Sequence, residues 1–128
     1  MPRKKTVNLT EAEQRLMEVL WSRGSATVTE VGEALPKELN LAYNTVLTTL
    51  RILEEKGYLS HTKPEDAKAF VYTPVVSRQQ ASRSAVRTLL GRFFGNSPEA
   101  LVLNLLEDEK LSEEERKRIR RLLKENEK

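Results

Sequence analysis

Apolar positions recur at helical spacing in three short N-terminal stretches, give way to a β-like middle, and return to helical spacing up to the C-terminus. Leu16, Val19 and Leu20 share one side of a stretch that opens with Thr10-Glu-Ala-Glu13. A hydroxyl and a carboxylate three residues apart can each accept a backbone N–H from the other's end, so this motif reads as a capping box. The spacing predicts a first helix over residues 10–22, closed near Gly24. Thr27-Val-Thr-Glu30 is a second box and opens a short helix to about Leu35, which Pro36 stops. A third helix follows Asn40 and ends at Gly57, a glycine suited to a left-handed C-cap. On its wheel Ala42, Val46, Thr49, Leu50 and Leu53 fall on one side, with Asn44, Thr48 and Arg51 opposite. Residues 58–63 and 68–73 then favour strand, and Pro64-Glu-Asp-Ala between them predicts a hairpin with a polar tip. Three helices followed by a two-stranded hairpin is the order of a winged helix-turn-helix.

From Ser77 the period is helical again. Ala81, Ala85, Leu89 and Phe93 repeat every four residues, and Val86, Leu90 and Phe94 widen the stripe as far as Gly95-Asn96. Ser97-Pro98 supplies an N-cap followed by proline at the first helical position. The helix it opens carries Leu101, Val102, Leu103, Leu105 and Leu106, so it is apolar nearly all round. Ser112-Glu-Glu-Glu115 begins the last helix, with acids first and Arg116 to Arg121 behind, the order that suits a helix dipole. The expected fold is mainly α with a small β-hairpin: a winged helix-turn-helix DNA-binding domain over residues 1–76 and a C-terminal helical dimerisation domain over 77–128. Three helices in about 50 residues bury too little on their own. A second copy of the chain is the simplest cover for them. The expected interface is Leu89, Phe93, Leu101, Val102, Leu105, Leu106, Ile119 and Leu122.

Composition narrows the chemistry. With no cysteine and a single histidine, His61, the chain has no disulfide, thiolate ligand or cysteine nucleophile, and no His-rich metal site. His61 has no partner of a suitable kind in view, so neither a catalytic role nor a metal or cofactor site is expected, and a hydrolase reading is set aside. No apolar run approaches the roughly 20 residues of a membrane span. Met-Pro-Arg-Lys-Lys at the start has no apolar region behind it, so a cytoplasmic protein without membrane insertion is expected.

The net charge of +3 is unevenly placed. Residues 1–74 hold 10 basic and 10 acidic side chains, whereas residues 75–128 hold 12 and 9. A nucleic-acid site in the first half must therefore be basic locally. The outer side of the third helix meets that condition, since it has no acid before Glu54. Tyr43, Asn44, Thr45, Leu47, Thr48 and Arg51 are the expected DNA-contacting residues there. Asn, Thr and Arg hydrogen-bond base edges or phosphates, and Leu47 suits a thymine methyl or the hairpin. A helix face grown for solubility alone would carry Lys and Glu instead. Lys63 and Lys68 flank the hairpin turn and are expected at phosphates, although Glu65 and Asp66 at the tip oppose them. The neutral first half also suits a winged-helix protein–protein module that never touches DNA. A steep loss of DNA affinity with salt separates the two readings.

Three segments together resemble a known family. Leu9-Thr-Glu-Ala-Glu-Gln-Arg-Leu-Met-Glu-Val-Leu-Trp21, the run from Ala42-Tyr-Asn-Thr-Val-Leu through Glu54-Glu-Lys-Gly57, and Leu101-Val-Leu-Asn104 are similar to the penicillinase and methicillin-resistance repressors of the BlaI/MecI type. The resemblance covers nearly the whole chain. It implies a dimeric winged-helix repressor bound to double-stranded DNA at a palindromic operator and relieved by proteolysis. A membrane-bound zinc metalloprotease sensor would start the signal. The cut in such relatives follows an asparagine, which matches the Asn104–Leu105 bond, although they often carry phenylalanine where this chain has Leu105. Some relatives have arginine in place of Leu47, so no operator sequence carries over. Copper-responsive relatives use C-terminal cysteines, which this chain lacks.

Overall fold

The computed structural model describes residues 9–66 and 68–126; the opening Met-Pro-Arg-Lys-Lys lies outside them. Residues up to Ala85 form one compact unit and residues from Val86 a second.

In the first unit, α1 (Glu11–Arg23) is opened by Thr10. The Glu13 N–H donates to Thr10 Oγ1 at 3.1 Å and the Thr10 N–H to Glu13 Oε1 at 2.9 Å. Gly24, at φ 90°, ends the helix. β1 (Ala26–Thr27) runs into α2 (Val28–Ala34), which Thr27 and Glu30 cap in the same reciprocal way. A single 3-10 turn, Lys37–Leu39, follows and closes at Asn40. α3 (Tyr43–Glu55) ends in a Schellman motif: the Tyr58 N–H reaches the Leu53 carbonyl at 2.9 Å and the Gly57 N–H reaches that of Glu54 at 3.0 Å. The motif needs a left-handed residue, and Gly57 sits at φ 91°.

β2 (Leu59–Thr62) and β3 (Val71–Pro74) pair antiparallel, with His61 opposite Tyr72. β1 pairs with the other edge of β3, Ala26 opposite Tyr72 and Thr27 opposite Val71. The expected two-stranded hairpin is therefore a three-stranded sheet of order β1-β3-β2. Its two long strands are shorter than 58–63 and 68–73, and Phe70 lies outside β3.

The core of this unit joins Leu16, Met17 and Leu20 of α1, Val31 of α2, Val46, Leu50 and Leu53 of α3, and Tyr72 of β3. Ala42, assigned to the apolar side of α3, is instead its exposed N-cap. Thr49 is half-buried and donates its hydroxyl to the Thr45 carbonyl at 2.7 Å, which satisfies it within the helix. Trp21 is half-buried and donates its indole N–H to the Val76 carbonyl at 2.8 Å.

α4 (Arg78–Phe93) begins on this unit. Ala81 is buried in the core, and Arg78 meets Glu18 of α1 at 2.7 Å while lying 5.4 Å over the Trp21 ring. The sequence suggested a boundary at 76/77. The compact units divide between Ala85 and Val86, because the first two turns of α4 pack on the winged unit.

The second unit holds the rest of α4 with α5 (Pro98–Leu106) and α6 (Glu113–Glu125). Ser97 caps α5, and Ser112 with Glu115 forms a third capping box at α6. Arg116 donates to the carbonyls of Leu106 at 2.7 Å and Asp108 at 2.8 Å, tying α6 to the C-terminal end of α5. None of the described side chains from Val86 onward is buried. Among the described residues no helix is long and apolar enough to cross a membrane.

Candidate nucleic-acid interface

α3 divides cleanly. Val46, Leu50 and Leu53 enter the core, whereas Tyr43, Asn44, Thr45, Thr48 and Arg51 are exposed. Tyr43 keeps 56% of its surface open. No acid occupies the first turn. At 13 residues the helix is about 20 Å long and narrow enough for a B-DNA major groove. Leu47 is half-buried and packs against the core, so only part of it faces outward.

Burial pushes the Tyr72 phenol above its ordinary range and the nearby Glu54 carboxylate adds to this, while the positive charge of Arg51 opposes both.

Lys63 and Lys68 are both exposed on the connection between β2 and β3, with Glu65 and Asp66 between them. Lys63 Nζ lies 6.0 Å from the centre of the Phe70 ring. His61, for which the sequence offered no partner, has one in Glu54: its Nδ1 is 2.7 and 2.9 Å from the two carboxylate oxygens. An ionised carboxylate has no proton to give, so the imidazole nitrogen is the donor. The same ring lies 4.8 Å from Phe70 and 5.6 Å from Tyr72. The turn at Gly57 folds β2 back along the end of α3 and creates this pairing, which no helical or strand period encodes.

A second unforeseen contact holds the far end of α3. Lys56 Nζ donates to Glu13 Oε1 at 2.7 Å, and both side chains are largely shielded. Burial alone would raise the Glu13 carboxyl. The hydrogen bonds from Lys56 and the Thr10 N–H outweigh it and hold the group below the ordinary carboxylate range. Glu13 therefore clamps the C-terminus of the exposed helix to the N-terminus of α1. Among the described residues no three potential metal ligands come together.

In the second unit Leu89, Phe93, Leu105 and Leu122 are exposed, and Leu101, Val102, Leu106 and Ile119 are half-buried. Pro98, Glu99, Val102, Leu103, Leu106 and Leu123 line an open apolar groove of about 570 Å³. Leu103 and Leu123, absent from the expected interface, are 56% and 49% exposed. Both fall one helical step from residues that were included. Asn104 and Leu105 are exposed within α5.

The family model described as penicillinase repressor matches residues 9–125. The penicillinase repressor of Bacillus licheniformis is 32% identical over 123 residues, covering 96% of this chain and 94% of that protein. The methicillin resistance regulatory protein MecI of Staphylococcus aureus is 25% identical over 119 residues, covering 93% and 95%. Among solved structures, the DNA-binding domain of the repressor BlaI matches with a TM-score of 0.52 at 33% identity, over 61% of this chain and 93% of that one.

Proposed function

The chain belongs to the penicillinase repressor family, and from that premise we propose how it acts. It is a DNA-binding transcriptional repressor. The outer side of α3 enters a major groove, where Asn44, Thr45, Thr48 and Arg51 meet bases or adjacent phosphates, with Tyr43 and Leu47 at its edges. Lys63 and Lys68 grip the phosphate backbone beside the groove. The observation that carries this reading is the acid-free polar strip on α3, exposed at Tyr43, Asn44, Thr45, Thr48 and Arg51 while Val46, Leu50 and Leu53 on the opposite side are buried.

The protein acts as a homodimer on a palindromic operator, in the cytoplasm and without catalytic chemistry of its own. What supports the dimer is a C-terminal unit with no buried side chain among its described residues and an open apolar groove. A second copy gives that surface the burial it lacks. Two-fold symmetry spaces the half-sites about one helical turn, or a multiple of it, apart. Pairing raises affinity because the second reading unit binds as part of an already tethered molecule. Cutting after Asn104, in a response started by a membrane-bound metalloprotease, would separate α6 from the rest and release DNA through loss of pairing. Because that bond lies within α5, the helix must open locally before a protease can seat it.

Selection of bound fragments from random duplex, followed by titration of the winner against salt, tests the proposal. Enrichment of a palindrome whose affinity falls steeply with salt is expected. A single unpaired motif, or affinity indifferent to salt, would refute it.

A further inference from the structure

The wing lysine and the recognition helix are joined by an unbroken chain of contacts. Glu54, in the last turn of α3, holds His61 Nδ1 at 2.7 Å. The His61 ring packs tilted against Phe70 at 4.8 Å. Phe70 in turn carries the Lys63 ammonium 6.0 Å from its ring centre. Phe70 is 42% exposed and lies just before β3, where a large apolar ring has no core to fill. Tyr72 lies 5.6 Å from the same imidazole and is itself in the core. The arrangement runs carboxylate, imidazole, phenyl, ammonium, from α3 across β2 to the wing loop.

We propose that Glu54, His61 and Phe70 are positioning residues that set where Lys63 meets the phosphate backbone relative to the groove occupied by α3. The inference rests on the reading of Lys63 as a phosphate contact. A long flexible lysine at the base of a loop otherwise samples many rotamers, and each contact it makes must first overcome that freedom. Seating its ammonium over an aromatic face reduces the freedom before DNA arrives. Seating that face on an imidazole fixed to α3 transmits the register of the helix to the wing. The relay therefore acts on phosphate grip and leaves sequence discrimination alone, since phosphate contacts orient the protein without reading bases.

A double-mutant cycle on operator binding tests the relay. Full-length protein is used throughout, with Lys63→Gln made in the wild type, in Glu54→Ala and in Phe70→Leu. In the wild type, Lys63→Gln removes one phosphate contact from each half of the dimer, so it is expected to weaken binding several-fold and to flatten the dependence of log K on log salt by about 1.8. In either altered background the same change is expected to have less than half that effect. The ratio of operator to random-duplex affinity stays constant across the set. Thermal melts identify any variant that is unfolded at the assay temperature. Should Glu54→Ala fail that check, Phe70→Leu, altered at an exposed ring, carries the cycle. Equal effects of Lys63→Gln in all backgrounds would overturn the relay while leaving the wing contact standing. A silent Lys63→Gln in the wild type would overturn the wing contact and the relay with it.

Discussion

Replacing Glu13 by glutamine removes one charge, and almost no volume, from the seam between α1 and α3. Glutamine still offers an oxygen to the Thr10 N–H, now 2.9 Å from Glu13 Oε1, so the α1 cap survives. What is lost is the charge facing Lys56 Nζ at 2.7 Å, where the two side chains are 7% and 17% exposed. A hydrogen bond to a charged group contributes about 1.5–3 kcal/mol net, and breaking a fully buried ion pair costs about 3–5 kcal/mol. Lys56 retains some contact with water, which places the expected loss near 2 kcal/mol at pH 7. For a unit of this size that corresponds to roughly 8–16 °C in Tm. Urea unfolding followed by the fluorescence of Trp21, the only tryptophan and one fastened to Val76, reads the winged unit directly. Protein concentration must be matched, because self-association shifts apparent stability. The pH dependence supplies an independent check. The folded-state pKa of Glu13 is depressed, so its contribution is complete above the unfolded value, about 4.3, and is lost as the pH falls through the lower folded value. The gap between wild type and Glu13→Gln should therefore be widest near neutrality and shrink on acidification below about pH 4.3. A gap under about 0.5 kcal/mol at pH 7, or one that persists unchanged in acid, would refute this account of the clamp.

Thr48→Ala and Arg51→Ala should each weaken operator binding by about 1–3 kcal/mol in a gel-shift or anisotropy titration while the sedimentation coefficient of the free protein stays put; unchanged binding in both would discredit the assigned face. Truncation after Asn104 should yield mainly monomer with poor DNA affinity, and a truncated form that still sediments as a dimer would exclude release through loss of pairing. Leu123→Glu puts a charge into the α5–α6 groove and should raise the dimer dissociation constant at least tenfold by analytical ultracentrifugation; no change would remove that groove from the interface. Gly57→Ala forces a Cβ onto φ 91° and should destabilise the winged unit by about 1–2 kcal/mol, with a neutral result in urea unfolding arguing against the left-handed turn.

The features legible in the sequence are those written locally. Thr10 with Glu13, Thr27 with Glu30 and Ser112 with Glu115 all form reciprocal caps, because the interaction closes within four residues and needs nothing from the rest of the chain. Val46, Leu50 and Leu53 follow from a 3.6-residue period for the same reason. β1 was invisible for the opposite reason: two residues carry no period, and its partner strand begins at Val71. The Glu54–His61 and Glu13–Lys56 pairs span seven and 43 positions and exist only once the Gly57 turn and the helix packing are in place. Ala42 was assigned inward by angle alone, whereas the helix begins one residue later and leaves it outside as the cap. The polar strip of α3 was readable because it needed only the helix and its phase. The relay behind Lys63 was not, since it depends on how a strand returns along that helix.

The tail from Val86 onward hides none of its described side chains within its own chain. In the proposed assembly its order and its partnership arrive together, so the amount of reading-competent protein scales with the square of the dilute monomer concentration. Operator occupancy then responds to dosage more sharply than one-to-one binding allows. A modest fall in copy number, through division or proteolysis, lifts repression across a narrow window, without any ligand and without destroying every molecule.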